Sequence, residues 1–204
     1  RVTTEMLNNG DFDEVMLATG IVPRTPAIEG IEHPKVLNYI DVLKHKKPVG
    51  NKVAVIGAGG IGFDTSEFLS HGEVSTSTNI SAFMKEWGVD MTLSARGGVE
   101  GLNPLPEPSP RQIFLLQRKT SKVGAGLGKT TGWAHRMGLM MKGVKLVAGV
   151  SYEKIDDAGL HIEVNGEKQI LDVDNIVICA GQDPLRELVE GLSVPHHLIG
   201  GADG

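Results

Sequence analysis

A short apolar strand that breaks into spaced glycines constrains this chain more than any other stretch. Val53-Ala-Val-Ile56 runs into Gly57-x-Gly59-Gly60-x-Gly62, and Ile61, Phe63, Phe68 and Leu69 follow as the apolar positions of a helix. In such a run the first glycine makes a tight turn, the second lets the backbone approach a pyrophosphate, and the third lets the helix pack closely on the strand. The helix N-terminus, with unpaired N–H groups and the positive end of its dipole, then suits an anion. The chain has 27 glycines, so a bare triplet would be an ordinary turn. The strand before it and the helix after it are what make Gly57, Gly59, Gly60 and Gly62 candidates for a dinucleotide site.

With 204 residues and 40% hydrophobic content the chain is long enough for a sizeable core of one or two domains. No apolar run approaches the roughly 20 residues needed to cross a bilayer, and the N-terminus lacks a charged-then-apolar signal. The expectation is a soluble, cytoplasmic protein with no membrane partner. A net charge of −5 argues against a general nucleic-acid surface. Cys179 is the single cysteine, so no internal disulfide exists, and it sits in an apolar run where a core thiol is expected rather than a nucleophile. A cluster needs about four cysteines, so this chain alone cannot ligate one.

The chain alternates strand and helix, with one β meander. Glu14–Thr19 reads as a strand, and the proline-bearing stretch 20–48 as connection. The strand at 53–56 precedes a helix from about Gly60 to His71. Residues 72–111 are unusual, with Ser75-Thr-Ser-Thr78, a short helix from Asn79 to Trp87 and a proline-rich loop ending at Pro110. Gln112–Gln117 returns as a strand, Thr131–Lys142 fits a helix, and Val144–Val147 another strand. Segments near 150–155, 160–164 and 169–173 are joined by Asp156–Gly159 and Asn165–Lys168, both hairpin turns. Asn175–Ala180 closes the series. The expected fold class is α/β: a Rossmann-like parallel sheet, of the FAD/NAD-linked reductase type, with a three-stranded meander in place of one crossover. Its strands are continuous apolar runs because both faces are buried.

Ligands of such sheets lie outside the carboxyl ends of the strands. After the second strand comes Gln117-Arg118-Lys119-Thr-Ser-Lys122, a basic cluster where an NAD site places an acid for the ribose hydroxyl. Arg118 and Lys119 there favour a 2′-phosphate, hence NADP(H) over NAD; a solvated basic run is the other reading. Arg118 follows Gly62 at nearly three times the usual interval of roughly 20 residues, so an insertion at 72–111 must be looped out. Gly124-Ala-Gly-Leu-Gly128-Lys129-Thr130 is not a P-loop, since that motif needs glycine at Val123. It reads as a flexible segment beside the cofactor, with Lys129 in reach of a phosphate. The histidines His135, His161, His196 and His197 form no spaced set with carboxylates or serine.

The segments 18–26, the glycine turn, 117–119, Gly126–Trp133, 178–184 and 197–203 together resemble the C-terminal part of the bacterial NADPH-dependent 2,4-dienoyl-CoA reductases, in the NADH:flavin oxidoreductase family. The resemblance covers essentially the whole chain, and Gly126-Leu-Gly-Lys-Thr-Thr-Gly-Trp133 is its most specific block. It implies an NADP(H) domain at 50–184, inserted in an FAD domain of which 1–49 and 185–204 are pieces. Thr19 and Gly20 match the family's second FAD motif, and Gly201 and Asp203 its final one. Ala180 and Gly181 match the loop beside the nicotinamide. Asp64 falls where related reductases place an acid near the nicotinamide, or is simply a carboxylate favoured in a helix first turn.

The FAD domain's own glycine turn, the cluster cysteines and the barrel are absent from the sequence, so a fragment is expected. On this reading FAD is shared with the rest of the polypeptide, while FMN and the 4Fe-4S cluster belong to the full-length protein only. The fragment binds NADPH and presents it for hydride transfer to FAD, with no catalytic side chain and no metal, and is inactive alone on an acyl-CoA. The alternatives are a non-catalytic adenine-nucleotide-binding domain, as in the related amine dehydrogenases, and an interaction module whose glycine turn is structural.

Overall fold

The continuous apolar runs form the middle of one parallel sheet. The computed structural model describes residues 1–72 and 75–204; Glu73 and Val74, which fall in the expected insertion, lie outside the described residues. Along the chain, α1 (Thr4–Asn8), β1 (Val15–Leu17) and β2 (Ile21–Pro23) precede β3 (Val36–Asn38), α2 (Tyr39–Leu43), β4 (Lys52–Ile56) and α3 (Gly60–Ser70). Then come α4 (Ile80–Trp87), β5 (Gln112–Leu116), α5 (Gly132–Met141) and β6 (Lys145–Val147). The chain closes with β7 (Val150–Asp156), β8 (Gly159–Val164), β9 (Glu167–Leu171), β10 (Asn175–Ile178), β11 (Gln182–Pro184) and β12 (His196–Leu198).

Two units divide the chain: residues 25–180, and residues 1–24 together with 181–204. In the larger, β3-β10-β4-β5-β6 make a sheet whose described pairings are all parallel. Val53 to Ile56 are at most 1% exposed, and Ile113, Leu115, Leu116, Ile176 and Val177 are fully buried, as strands covered on both faces must be. Alternation along β4 sorts the two faces. Val53 and Val55 join Phe63, Leu69 and Leu139 of the helices α3 and α5. Ala54 and Ile56 join Val150, Ile155, Leu160 and Ile162 of the meander β7-β8-β9. The fold is therefore α/β, with a Rossmann-like sheet between a helical layer and a β meander. The meander turns where expected: Asn165 and Gly166 both take positive φ, 54° and 83°, the type I′ geometry that suits Asn-Gly.

The stretch 20–48 is more ordered than its prolines imply, a correction to the connection read from sequence. It contains β2, β3 and α2, the last held by reciprocal capping bonds between Asn38 and Asp41. Three-residue strands carry no periodicity of their own, and β3 exists because Val36 to Asn38 pair with Ile176 to Ile178. That pairing places β3, within the sequence-derived piece 1–49, in the sheet of the larger unit. In the smaller unit β1 pairs in parallel with β12 and β2 antiparallel with β11. No helix among the described residues is long and apolar enough to cross a membrane.

Candidate functional site

β4 lies between β10 and β5, with Ile56 beside Ile178 on one side and Leu116 on the other. Its carboxyl end is the point where strand order reverses, which is where such sheets take ligands. Gly57 leaves it with φ +107°, and a Cβ there would stand 2.6 Å from the Cys179 carbonyl oxygen and 2.9 Å from the Ala180 Cα. Its N–H donates to the Leu116 carbonyl at 2.9 Å. At Gly62 a Cβ would come within 1.8 Å of the Gly57 carbonyl oxygen, so only glycine lets α3 seat this close to the strand. Gly59 and Gly60 are the opposite: both are exposed, and a Cβ would meet nothing within 4 Å. Gly59 caps α3 without any side-chain bond, and the first turn holds no acid. The mouth of the turn is thus open backbone at a helix N-terminus, where an anion is favoured.

Asp64 is exposed and lies a full turn into α3, beyond the first turn. The first-turn carboxylate reading is corrected: the helix begins at Gly60, so the dipole gives no reason for an acid at 64.

The basic residues leave the sheet beside the turn. Because Ile56 pairs with Leu116, Gly57 and Gln117 emerge side by side, and Arg118 and Lys119 follow, both exposed. Their loop is tied down at the backbone. Gln117 N–H donates to Val147, Val150 N–H to Gln117 and Gly149 N–H to Lys119, at 2.9, 3.0 and 3.0 Å. The Gln117 side-chain amide also donates to the carbonyls of Lys119 and Ser121. Two positive residues therefore sit on an anchored backbone at the carboxyl edge of β5, next to the open glycine turn.

The segment 123–132 is anchored, against the flexible reading. Val123 is 4% exposed and Leu127 packs on the helical core. Turn bonds run from Ala125 to Lys122, Leu127 to Gly124 and Gly132 to Gly128. The histidines also differ from expectation: His135 faces Glu67 at 3.3 Å, His161 faces Asp156 at 2.9 Å and His197 faces Glu14 at 3.2 Å. Partners distant in sequence hid two of these pairs. The Lys154 ammonium first, then His161, holds the Asp156 carboxyl well below the usual carboxylate range. Cys179 is buried, and burial pushes its thiol up to about 12. Among the described residues no group of three or more His, Cys, Asp or Glu is arranged to hold a metal. A cavity of about 250 Å³ lies between α3, α4 and α5, walled by Phe83, Trp87 and Leu139, with the ion pair Glu86–Lys142 at 3.5 Å. None of the turn glycines lines it.

Ala180 ends the larger unit, packed on Gly57. The remaining expected residues fall in the smaller unit. Gly181 has φ +97° and accepts the Arg24 N–H. The Thr19 hydroxyl donates to the Leu185 carbonyl. Gly20, φ +81°, accepts the Leu185 N–H at 3.0 Å. Gly201 sits against them, since a Cβ there would be 2.8 Å from Ile21 and 3.3 Å from the Gly20 carbonyl carbon. Asp203 is exposed, its carbonyl accepting from Arg186. Thr19, Gly20 and Gly201 are thus brought together within that unit, and the glycine turn, Arg118, Lys119 and Ala180 within the other.

The family model of the pyridine nucleotide-disulphide oxidoreductases matches residues 2–201. The cinnamate reductase of Clostridium sporogenes is 31% identical over 197 residues, a stretch that takes in 94% of this chain and 24% of that protein. Among solved structures, a 2-naphthoyl-CoA reductase complex matches all of the chain with a TM-score of 0.73 at 21% identity, over 26% of its own length. The 6-hydroxypseudooxynicotine amine oxidase of Pseudomonas geniculata N1 also matches all of it, with a TM-score of 0.73 at 16% identity and over 28% of its length. Such identities concern the fold alone. The chain spans about a quarter of the length of the curated relatives it matches.

Proposed function

The chain belongs to the pyridine nucleotide-disulphide oxidoreductase family, and from that premise we propose that residues 50–184 are the NADP(H)-binding module of a flavin-dependent oxidoreductase. The family implies FAD and NAD(P) as its cofactors. The carrying observation is the pairing of an open glycine turn with an arginine on a loop anchored at its backbone. Gly59 and Gly60 offer bare backbone where a Cβ would meet nothing, and Arg118 leaves the adjacent strand one residue past the partner of Gly57. Residues present fit the group: the turn receives the pyrophosphate, and Arg118 with Lys119 receives the 2′-phosphate.

When bound, NADPH supplies a hydride. The chain's part is orientation. Gly57 and Gly62 set the distance between strand and helix, α3 directs its N–H groups at the phosphates, and Ala180 closes the far side of the turn. Asp64 is assigned beside the nicotinamide and, within the smaller unit, Thr19, Gly20, Gly201 and Asp203 beside an FAD shared with the rest of the polypeptide. No side chain has to move a proton for this step.

For the whole protein the reading is reduction of a conjugated acyl-CoA, as in 2,4-dienoyl-CoA reductases. FMN and a 4Fe-4S cluster would then be carried elsewhere in the polypeptide, since Cys179 is the one cysteine here. The likeness to a cinnamate reductase supports an unsaturated, carboxyl-derived substrate. The open turn at Gly59 and Gly60, taken alone, also suits a second reading, a non-catalytic adenine-nucleotide site. Parallel calorimetric titration with NADPH, NADH, ADP and FAD separates the two. Tighter binding of NADPH than of NADH and ADP is expected; equal binding of NADPH and ADP, with no flavin reduction by the full-length protein, would select the second.

A further inference from the structure

Tyr152 on β7 carries a buried hydroxyl with no hydrogen-bond partner among the described residues. Buried polar atoms without partners are rare, and each is destabilising unless something completes it. Its ring packs on the cluster at the meander side of the sheet. Phe114 and Leu116 of β5 reach the same cluster, and β5 ends there, two residues before Arg118. The backbone bonds from Val150 to Gln117 and from Gly149 to Lys119 bring the start of β7 against this loop. Burial pushes the Tyr152 phenol up, against a smaller opposing effect of the Arg118 charge.

We propose that Tyr152 is a positioning residue for Arg118: when NADPH binds, the unpartnered hydroxyl oxygen accepts an inward N–H of the guanidinium and so aims the outward pair at a ribose 2′-phosphate. The inference rests on the NADP(H) reading given above. A guanidinium carries five N–H donors in a fixed plane, and a phosphate takes two. The inner donors need an acceptor. A carboxylate acceptor would neutralise the arginine, whereas a phenol that stays protonated leaves the full charge for the phosphate.

The experiment measures dissociation constants of NADPH and NADH for wild type, Tyr152→Phe, Arg118→Ala and the double variant. Tyr152→Phe is expected to weaken NADPH roughly three- to tenfold, the range for one hydrogen bond, and to leave NADH within about twofold. In the Arg118→Ala background the same change should have no further effect, and the melting temperature of Tyr152→Phe should equal or exceed that of wild type. Unchanged NADPH affinity, equal loss for both cofactors, undiminished loss without Arg118, or a lowered melting temperature would each overturn it. If wild type does not prefer NADPH, or Arg118→Ala keeps the preference, the cofactor reading itself fails and this inference falls with it.

Discussion

Residues 57–62 and 124–128 are both rich in glycine and both follow a strand of the same sheet, the second at a greater remove. In the first, position decides each residue. At Gly57 and Gly62 backbone atoms stand where a Cβ would be, at 2.6 and 1.8 Å, while at Gly59 and Gly60 there is open space. In the second, only Gly124 takes positive φ, and its nearest neighbour is the far end of the Phe63 ring at 2.7 Å. Gly126 meets nothing within 4 Å, and Gly128 only Thr131 at 3.8 Å. One stretch is squeezed between strand and helix so that its middle can face a ligand. The other is a string of turns. Abundance of glycine does not distinguish them; the immediate strand and the 1-3-6 spacing do.

The largest expected effect comes from Gly62→Ala, which forces α3 away from β4 and should lower stability by about 3 kcal/mol. Denaturant melts of the variant check it, and a loss below about 1 kcal/mol would mean that the helix shifts freely and the squeeze is not real. Next is Arg118→Ala. It should weaken NADPH by about 1 to 3 kcal/mol and leave NADH nearly unchanged; titration of both cofactors decides, and equal losses would detach the arginine from the 2′-phosphate.

Cys179, whose carbonyl oxygen abuts Gly57, provides a chemical probe of the squeezed region. Its thiol is pushed up to about 12 by burial, so native protein at pH 8 should resist iodoacetamide that modifies it readily in denaturant. The sign of the linked stability follows: a group whose pKa is raised on folding contributes fully below its unfolded value near 9 and loses that contribution as pH climbs toward about 12. Rapid native alkylation, seen by mass spectrometry, would show that the strand end is not closed. The smallest effect belongs to Gly126→Ala. With open space and no positive φ it should be neutral or stabilising by up to about 1 kcal/mol, and a clear loss in a thermal melt would erase the contrast between the two loops.

What could be read in the sequence was whatever a short window contains. Val53–Ile56, Gln112–Leu116 and Asn175–Ile178 announce buried parallel strands through unbroken apolar runs, and Asn165-Gly166 announces a hairpin through backbone preference. The glycine turn and the basic residues after β5 were legible for the same reason. What needed the fold was pairing at a distance. β3 is a strand only because β10 lies beside it, His135 meets Glu67 only because α5 packs near α3, and the orphan hydroxyl of Tyr152 shows only once the meander covers the sheet. Asp64 was misjudged although α3 starts at Gly60 as read, because it stands one turn too far along to be a first-turn acid. The register that sets Gly57 beside Gln117, on which the cofactor assignment depends, lies across a gap in sequence that no local pattern bridges.

A crystal structure of the protein with NADPH bound tests the assignment most directly. The account predicts the pyrophosphate on the backbone N–H groups of the turn at Gly59 and Gly60, with the Arg118 guanidinium about 3 Å from the 2′-phosphate oxygens. A cofactor seated away from this turn, or a 2′-phosphate left without Arg118, would contradict it.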